Sequence, residues 1–156
     1  YKEVPQLKTT MTYDKVDVVP LQVAYASSEE PEEGDAVHLV DGDESTIWHT
    51  MYSITLAKYP HWIDFDASET KLMKGFTFLP RQDTGYGRIK SYEIYVSNDG
   101  KTWGSAIMKG NFDSSAELKK VMFEKPVKAR YIRFRALNAH YGVDYASAAE
   151  FALIAD

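Results

Sequence analysis

The segment DGDESTIWHT, residues 41–50, brings together side chains that could bind a metal ion or a polar ligand. Asp41, Asp43 and Glu44 lie around Gly42, and a tight loop containing glycine can turn carboxylates and carbonyls toward one point, as Ca²⁺ requires. The spacing differs from that of an EF-hand, because the twelfth position of the loop is not Glu. The residue types alone leave two alternatives, a cation-binding loop and a solvated turn.

Sequence motifs of catalysis are missing from the chain. There is no nucleophile elbow with a Ser/His/Asp order, no HExxH segment and no glycine-rich phosphate loop. The acidic residues cluster in a charged loop and in turns, whereas a glycosidase needs a carboxylate pair with one raised pKa. The absence of cysteine excludes disulfides, thiolate metal sites and a cysteine nucleophile. We therefore expect that the chain is not an enzyme.

The composition is that of one globular domain with an acidic balance. A chain of 156 residues with 44% hydrophobic residues can bury a core of its own. The net charge of −5 disfavours binding to nucleic acid or to anionic membranes. No apolar run approaches the roughly 18 residues that span a bilayer. Because the chain begins at Tyr1 without Met, we expect it to be covalently part of a larger protein.

The elements that must position these residues are predicted to be β-strands. Short segments of alternating polarity are separated by turn residues such as SNDG at 97–100, and helical periodicity is limited to one possible turn in GDAVHLV. The predicted strands are LQVAYASS at 21–28, HWIDFD at 61–66, GFTFLP at 75–80, SYEIYVS at 91–97, LKKVMFE at 118–124, RYIRFRAL at 130–137 and AEFALIA at 149–155. This pattern predicts an all-β sandwich or barrel over residues 21–156, preceded by a linker or edge segment at residues 1–20.

Several of these strings, in this order, resemble the discoidin or coagulation factor five/eight type C family. The strings are DGDESTIWHT, PHWIDFD, FLPRQD, GRIKSYEIYVSNDGKTW, ARYIRFRAL and YASAAEF, and the likeness runs from about Leu21 to Ile154. Within the family, the resemblance is strongest to the family 32 carbohydrate-binding modules. It implies a β-sandwich of jelly-roll type with a structural calcium ion near one end.

The resemblance also implies which residues bind that ion. The matching side chains are Asp41 of the DG pair, Thr46 of the ST pair and Glu150 of the closing AAE. Backbone carbonyls would complete the shell at His38, Asp43 and Ala149. Carboxylates, a hydroxyl and carbonyls are the oxygen ligands that Ca²⁺ prefers.

A sugar site needs hydrogen-bonding groups for hydroxyls and an aromatic ring for the apolar face of the sugar. The resemblance places His49, Arg81 and Tyr145 there, with Tyr141 as a second aromatic candidate. Each has a structural alternative: His49 could fix a neighbouring loop, Arg81 could pair with Asp83, and Tyr145 could pack in the core.

Two further candidates lie in loops. Glu30, in the acidic loop, could accept hydrogen bonds from sugar hydroxyls or could simply be solvated. Many galactose-binding members have Asn before the glycine of the loop written here as TGYGRI, where this chain has Tyr86. Tyr86 could stack on a sugar, or it could fill the pocket.

Together these features predict a non-catalytic, monomeric module that binds glycans ending in galactose or N-acetylgalactosamine. We expect it to be bacterial and extracellular, and to tether a larger glycan-active or surface protein. The alternative is a protein-protein adhesion module of the same fold with no sugar site.

Overall fold

The computed structural model describes residues 18–156, so most of the predicted linker or edge segment lies outside the described residues. This part of the chain forms nine strands: β1 Val18–Val19, β2 Gln22–Ala26, β3 Trp48–His49, β4 His61–Leu79, β5 Ser91–Ser97, β6 Met108–Asn111, β7 Lys119–Ala136, β8 Ser147–Ala148 and β9 Glu150–Ala155. It also contains two short 3-10 helices, Ala36–Val40 and His140–Gly142. Within residues 18–156, no helix is long and apolar enough to cross a membrane.

The two longest strands, β4 and β7, form an antiparallel pair that runs through the whole fold. Their register shifts after Asp66 and again after Met73, and the first of these shifts separates a first half of β4, residues 61–66, from a second half, residues 71–79. Strands β2 and β5 flank the first half of β4 and the last half of β7. Strand β9 flanks the second half of β4, and β1 and β6 form the edges of the seven-stranded sheet.

The aromatic core shows how this sheet becomes a sandwich. Phe151 of β9 lies opposite Phe78 in the second half of β4, yet its ring stacks on Phe65 from the first half, with ring centroids 4.4 Å apart. The two halves of β4 therefore face each other across the core. Phe134 of β7 packs against both Phe76 and Phe78 in the same space. The prediction of an all-β sandwich is confirmed.

The predicted strands correspond to the observed ones with two kinds of difference. The segment SYEIYVS is β5 with the predicted bounds, but 61–66 and 75–80 join into β4, and 118–124 and 130–137 join into β7. The joins arise because register shifts, rather than turns, separate the alternating segments. Strands β3, β6 and β8 were not predicted, since two to four residues are too few to show a period.

Candidate functional site

Four of the predicted sugar-binding residues line one cleft. The cleft has a volume of about 340 Å³, and its lining residues are Glu33, His49, Tyr52, Leu56, Arg81, Tyr86 and Tyr145. Of the predicted residues, His49 belongs to β3, Arg81 and Tyr86 lie in the connection between β4 and β5, and Tyr145 lies just before β8. Their meeting supplies the combination of polar groups and aromatic rings that the sequence predicts, and their contact with a sugar stays a prediction.

A two-stranded sheet places His49 beside Tyr145. His49 of β3 pairs with Ser147 of β8, and just beyond this pair Thr50 N–H donates to Ala146 O while Ala146 N–H donates to the Thr50 hydroxyl, both at 3.0 Å. The rings of His49 and Tyr145 then stack at 18°, with centroids 5.4 Å apart. Tyr145 thus packs against His49, another residue of the cleft, and not in the hydrophobic core.

The hydrogen bond of the His49 ring determines its tautomer. Nδ1 of His49 lies 2.6 Å from Thr50 O. A carbonyl oxygen only accepts hydrogen bonds, so Nδ1 carries the proton. In the neutral ring, Nε2 is then a hydrogen-bond acceptor. His49 is therefore suited to accept a hydrogen bond from a hydroxyl group.

Arg81 forms the predicted ion pair with Asp83, and its contact with a sugar stays a prediction. Its Nε and Nη2 donate to the two carboxylate oxygens of Asp83, at 2.6 and 3.2 Å, and these bonds lower the pKa of Asp83. Within residues 18–156, Nη1 has no hydrogen-bond acceptor. The ion pair fixes the plane of the guanidinium group and leaves Nη1 available to a ligand in the cleft.

The acidic loop is held against β3 by backbone hydrogen bonds. His49 N–H donates to Gly34 O at 3.1 Å, and Glu30 N–H donates to His49 O at 2.7 Å. A Cβ on Gly34 would lie 2.7 Å from the backbone nitrogen of His49, so only glycine fits this approach. The adjacent Glu33 thereby reaches the cleft, where its carboxylate accepts a hydrogen bond from the Tyr52 hydroxyl.

Glu30 has a different position from the predicted one. Its side chain is buried, and it does not line the cleft. Its carboxylate accepts hydrogen bonds from Ser53 Oγ and from the N–H groups of Tyr52 and Ser53, and these bonds lower its pKa. Glu30 is thus neither solvated nor exposed to a ligand, because the segment after β3 folds over it.

Tyr141 also lies outside the cleft lining, and its side chain is 84% exposed. Its φ of 68° is in the left-handed region, within the short 3-10 helix, and its ring lies 6.1 Å from that of His140. Tyr141 and Tyr145 share a loop in the sequence, but only Tyr145 lines the cleft.

Tyr86 forms a wall of the cleft and does not fill it. Its side chain is 64% exposed, and its carbonyl accepts a hydrogen bond from Ser147 Oγ at 2.6 Å. Gly87, with φ of 77°, brings this loop so close that a Cβ there would lie 3.1 Å from the Tyr145 ring. The Tyr86 loop and Tyr145 are therefore fixed relative to each other through β8.

The residues of the predicted calcium site also meet. Thr46 Oγ1 donates to Asp41 Oδ2 at 2.5 Å, and the carboxyl group of Glu150 is close enough to that of Asp41 to interact with it electrostatically. Burial, together with the nearby Asp41, raises the pKa of Glu150 to about 8. Desolvation of Asp41 is outweighed by its hydrogen bonds from Thr46 and Asp43, so its pKa is lowered.

This arrangement fits a divalent cation. Glu150 Oε2 is buried without a hydrogen-bond partner beside a second carboxylate, and this cost is relieved by a proton on Glu150 or by a bound cation. Among the described residues, no group of three or more His, Cys, Asp or Glu side chains is placed to hold a metal ion. The predicted site depends instead on two carboxylates, a hydroxyl and carbonyls.

The three predicted carbonyl ligands lie on the segments that frame these carboxylates. Asp43 O accepts a hydrogen bond from the Thr46 hydroxyl at 3.0 Å, and His38 lies in the 3-10 helix that ends before Asp41. Ala149 immediately precedes Glu150, between β8 and β9, and is fully buried. Ligation by these carbonyls stays a prediction.

Sequence reasoning missed Tyr52 and Leu56, and it did not separate Glu33 from the other loop acids. Tyr52 and Leu56 lie in a segment without regular structure, so no periodicity marks them. Tyr52 packs edge-on to the His49 ring, with centroids 5.0 Å apart. A run of aromatic and aliphatic residues in a predicted loop was the one available indication.

The chain is similar to a known domain family and to segments of several larger proteins. Residues 23–151 match the model of the F5/8 type C domain. A sialidase of Micromonospora viridifaciens is 37% identical over 145 residues, which is 90% of this chain and 22% of the sialidase. A galactose oxidase of Gibberella zeae is 37% identical over 114 residues, 71% of this chain and 16% of the oxidase. The chain thus spans less than a quarter of either relative.

Solved structures similar to this chain include family 32 carbohydrate-binding modules of Clostridium perfringens. CpGH89CBM32-5, in complex with GalNAc-β-1,3-galactose, is 35% identical with a TM-score of 0.80, over 88% of this chain and 99% of that module. The family 32 module of NanJ, in complex with galactose, is 25% identical with a TM-score of 0.77, over 88% of this chain and 97% of that module.

Proposed function

This chain belongs to the F5/8 type C domain family, and on that premise we propose that it is a non-catalytic carbohydrate-binding module for glycans that end in galactose or N-acetylgalactosamine. The observation that carries the proposal is the meeting of His49, Arg81 and Tyr145 in one open cleft. The galactose and GalNAc-galactose complexes of the two Clostridium perfringens modules support the choice of sugar.

The chemistry of the cleft suits a neutral sugar. His49 Nε2 can accept a hydrogen bond from one hydroxyl, and Arg81 Nη1 can donate to a neighbouring one. Tyr145, Tyr86 and Tyr52 offer ring surface for the C–H face of a pyranose. A small, open site must displace bound water, so we expect a Kd on the order of 0.1–1 mM for a single sugar.

The proposal includes a structural Ca²⁺ ion. Asp41, Glu150 and Thr46 would bind it through side chains, with carbonyls of His38, Asp43 and Ala149 completing the shell. When bound, the ion would offset the two facing carboxylates and connect the loop before β3 to the start of β9. The role would be structural, since the cleft residues are a different set.

We also propose that the module is monomeric and is part of a larger extracellular bacterial protein that acts on glycans or is displayed at the surface. The sialidase relative supports this context, since this chain matches only 22% of its length. A weak module gains retention when it is linked to an enzyme or to further modules, because the second binding event becomes intramolecular.

Alanine substitution of His49 and Arg81 tests the sugar site. We expect each variant to lose at least about tenfold in affinity for methyl β-galactoside, because each removes a hydrogen bond and, for Arg81, a charged donor. Affinity is measured by NMR titration, and a glycan array tests the choice of terminal sugar.

Arg130→Ala is the matched control. Arg130 forms the same two-bond ion pair with Asp66, at 2.8 and 3.0 Å, and it is not among the cleft residues. Unchanged binding in both cleft variants, with both folded, would refute the sugar site and leave the adhesion module as the alternative.

A further inference from the structure

The charges around the cleft are predominantly negative, although the cleft contains an arginine. Arg81 is the cation among the lining residues, and its guanidinium group is paired through two hydrogen bonds with the carboxylate of Asp83. This pairing offsets most of its attraction for a second carboxylate. The net charge near the cleft therefore depends on the other acidic groups.

Two carboxylates remain, and they lie on the same side of the cleft. Glu33 lines the cleft directly, and Glu30 lies behind Tyr52 and Ser53. The hydrogen bonds that Glu30 accepts from Ser53 and Tyr52 stabilise its charged form. Behind Glu33, the buried carboxylate of Glu30 thus adds a second negative charge that a ligand cannot contact directly.

Glu33 is held in place with one oxygen available to a ligand. Its Oε1 accepts the hydrogen bond from the Tyr52 hydroxyl, and within residues 18–156 its Oε2 has no donor. Tyr52 is in turn packed against the edge of His49, so the carboxylate is positioned relative to the other cleft groups. An oriented acceptor of this kind can bind a hydroxyl or, more strongly, an ammonium group.

We propose that Glu33 makes the cleft select sugars by charge, so that it binds neutral hexoses and 2-amino hexoses and rejects hexuronic acids. The inference rests on the proposed function and identifies the class of sugar that the site admits. An ammonium group gains a charge-assisted hydrogen bond to Glu33, whereas a uronate carboxylate is repelled by Glu33 directly and by the buried Glu30 at longer range.

The test compares galactose, galactosamine and galacturonic acid, by NMR titration at low ionic strength and at a pH where the amine is charged. We expect galactosamine to bind about threefold more tightly than galactose, and galacturonic acid about threefold to tenfold more weakly. Both differences should shrink at high salt, because the charges lie at an open rim.

Glu33→Gln is the decisive variant. The amide can still accept the hydrogen bond from the Tyr52 hydroxyl but carries no charge, so we expect both charge-dependent differences, each measured relative to galactose in the same variant, to disappear. Glu32→Gln is the matched control, because Glu32 is the exposed neighbouring residue and does not line the cleft. It should leave all three affinities unchanged.

The outcomes separate the two proposals. If the unmodified protein binds galactose through Arg81 but binds the three sugars equally, or if Glu33→Gln leaves the differences intact, charge selection is wrong and the sugar site stands. If the protein binds no galactose at all, both proposals fail.

Discussion

Glu30 and Glu33 are three positions apart in one acidic loop, yet their carboxylates have opposite surroundings. Glu30 is 4% exposed and accepts three hydrogen bonds from residues 52–53, whereas Glu33 is exposed at the cleft. Sequence alone treats them as equivalent charges in a solvated run. The difference arises because the segment after β3 folds over Glu30. The same segment contacts Glu33 through the Tyr52 hydroxyl.

We predict that Glu30→Ala weakens sugar binding although Glu30 does not line the cleft. The substitution removes the acceptor for the N–H groups of Tyr52 and Ser53 and leaves them without a partner. We expect a Tm lower by a few degrees and a Kd for galactose raised about threefold, because Tyr52 and Glu33 must then be ordered on binding.

Thermal melting and NMR titration measure the two effects. Glu117→Ala, which removes an exposed carboxylate elsewhere on the surface, serves as the control and should change neither. An unaltered affinity in the Glu30 variant would mean that its hydrogen bonds do not position the cleft.

At the scale of elements, the smallest strands matter most to the site. Strands β3 and β8 contain two residues each, and their pairing sets His49 beside Tyr145. The acidic loop adds to β3 through Gly34 O and His49 O, so three segments from distant parts of the chain form one support. The long strands β4 and β7 build the sandwich but contribute none of the cleft residues.

The close contact between the acidic loop and β3 makes Gly34 sensitive to substitution. Gly34→Ala would place a methyl group 2.7 Å from the backbone and Cβ of His49, so the loop or β3 must move. We expect a loss of about 1–3 kcal/mol in the free energy of unfolding, together with weaker binding to galactose. Urea unfolding and NMR titration measure these quantities.

Gly85→Ala is the matched control for this substitution. It lies in the Tyr86 loop, where a Cβ would come no closer than 3.4 Å to the flexible end of Arg88. If Gly34→Ala had the same free energy of unfolding and the same affinity for galactose as this control, the close approach of the acidic loop to β3 would not be needed for stability or binding.

At the scale of the whole molecule, the predicted cation connects the loop before β3 to the last strand. Asp41 and Glu150 are far apart in the sequence, but their carboxyl groups meet at one point. Glu150 Oε2 is buried there without a hydrogen-bond partner, and this observation supports the proposed ion. Charge balance at this point is therefore a property of the complete fold.

Chelation of Ca²⁺ should lower the stability of the whole domain. A ligand that binds only the folded state at about 100 times its Kd stabilises by about 2.7 kcal/mol, which corresponds to a Tm shift of about 5–10 °C for a chain of this size. Thermal melting with excess chelator, in protein shown to be metal-free, measures the shift. Added Ca²⁺ should restore the original Tm.

Asp41→Asn provides the matching variant, because it keeps the size of the side chain and removes one charge. Its Tm should respond little to chelator or to Ca²⁺. The structural role of the ion would be wrong if the unmodified protein kept its Tm without metal.

Local patterns and ordered motifs were enough to predict the class of fold and four of the seven residues that line the cleft. Alternating polarity is a local property of a strand, so the segments that became β2, β5 and β9 could be found from their residues. The ordered motifs identified His49, Arg81, Tyr86 and Tyr145, because each follows or precedes a recognisable string.

Which of the loop residues line the cleft became clear from the folded chain. Glu33 rather than Glu30, and Tyr52 rather than Tyr141, line the cleft because of hydrogen bonds and backbone angles that join segments distant in the sequence. Such contacts depend on how the loops pack against β3 and β8, and a loop without periodicity has no local pattern that specifies the direction of its side chains.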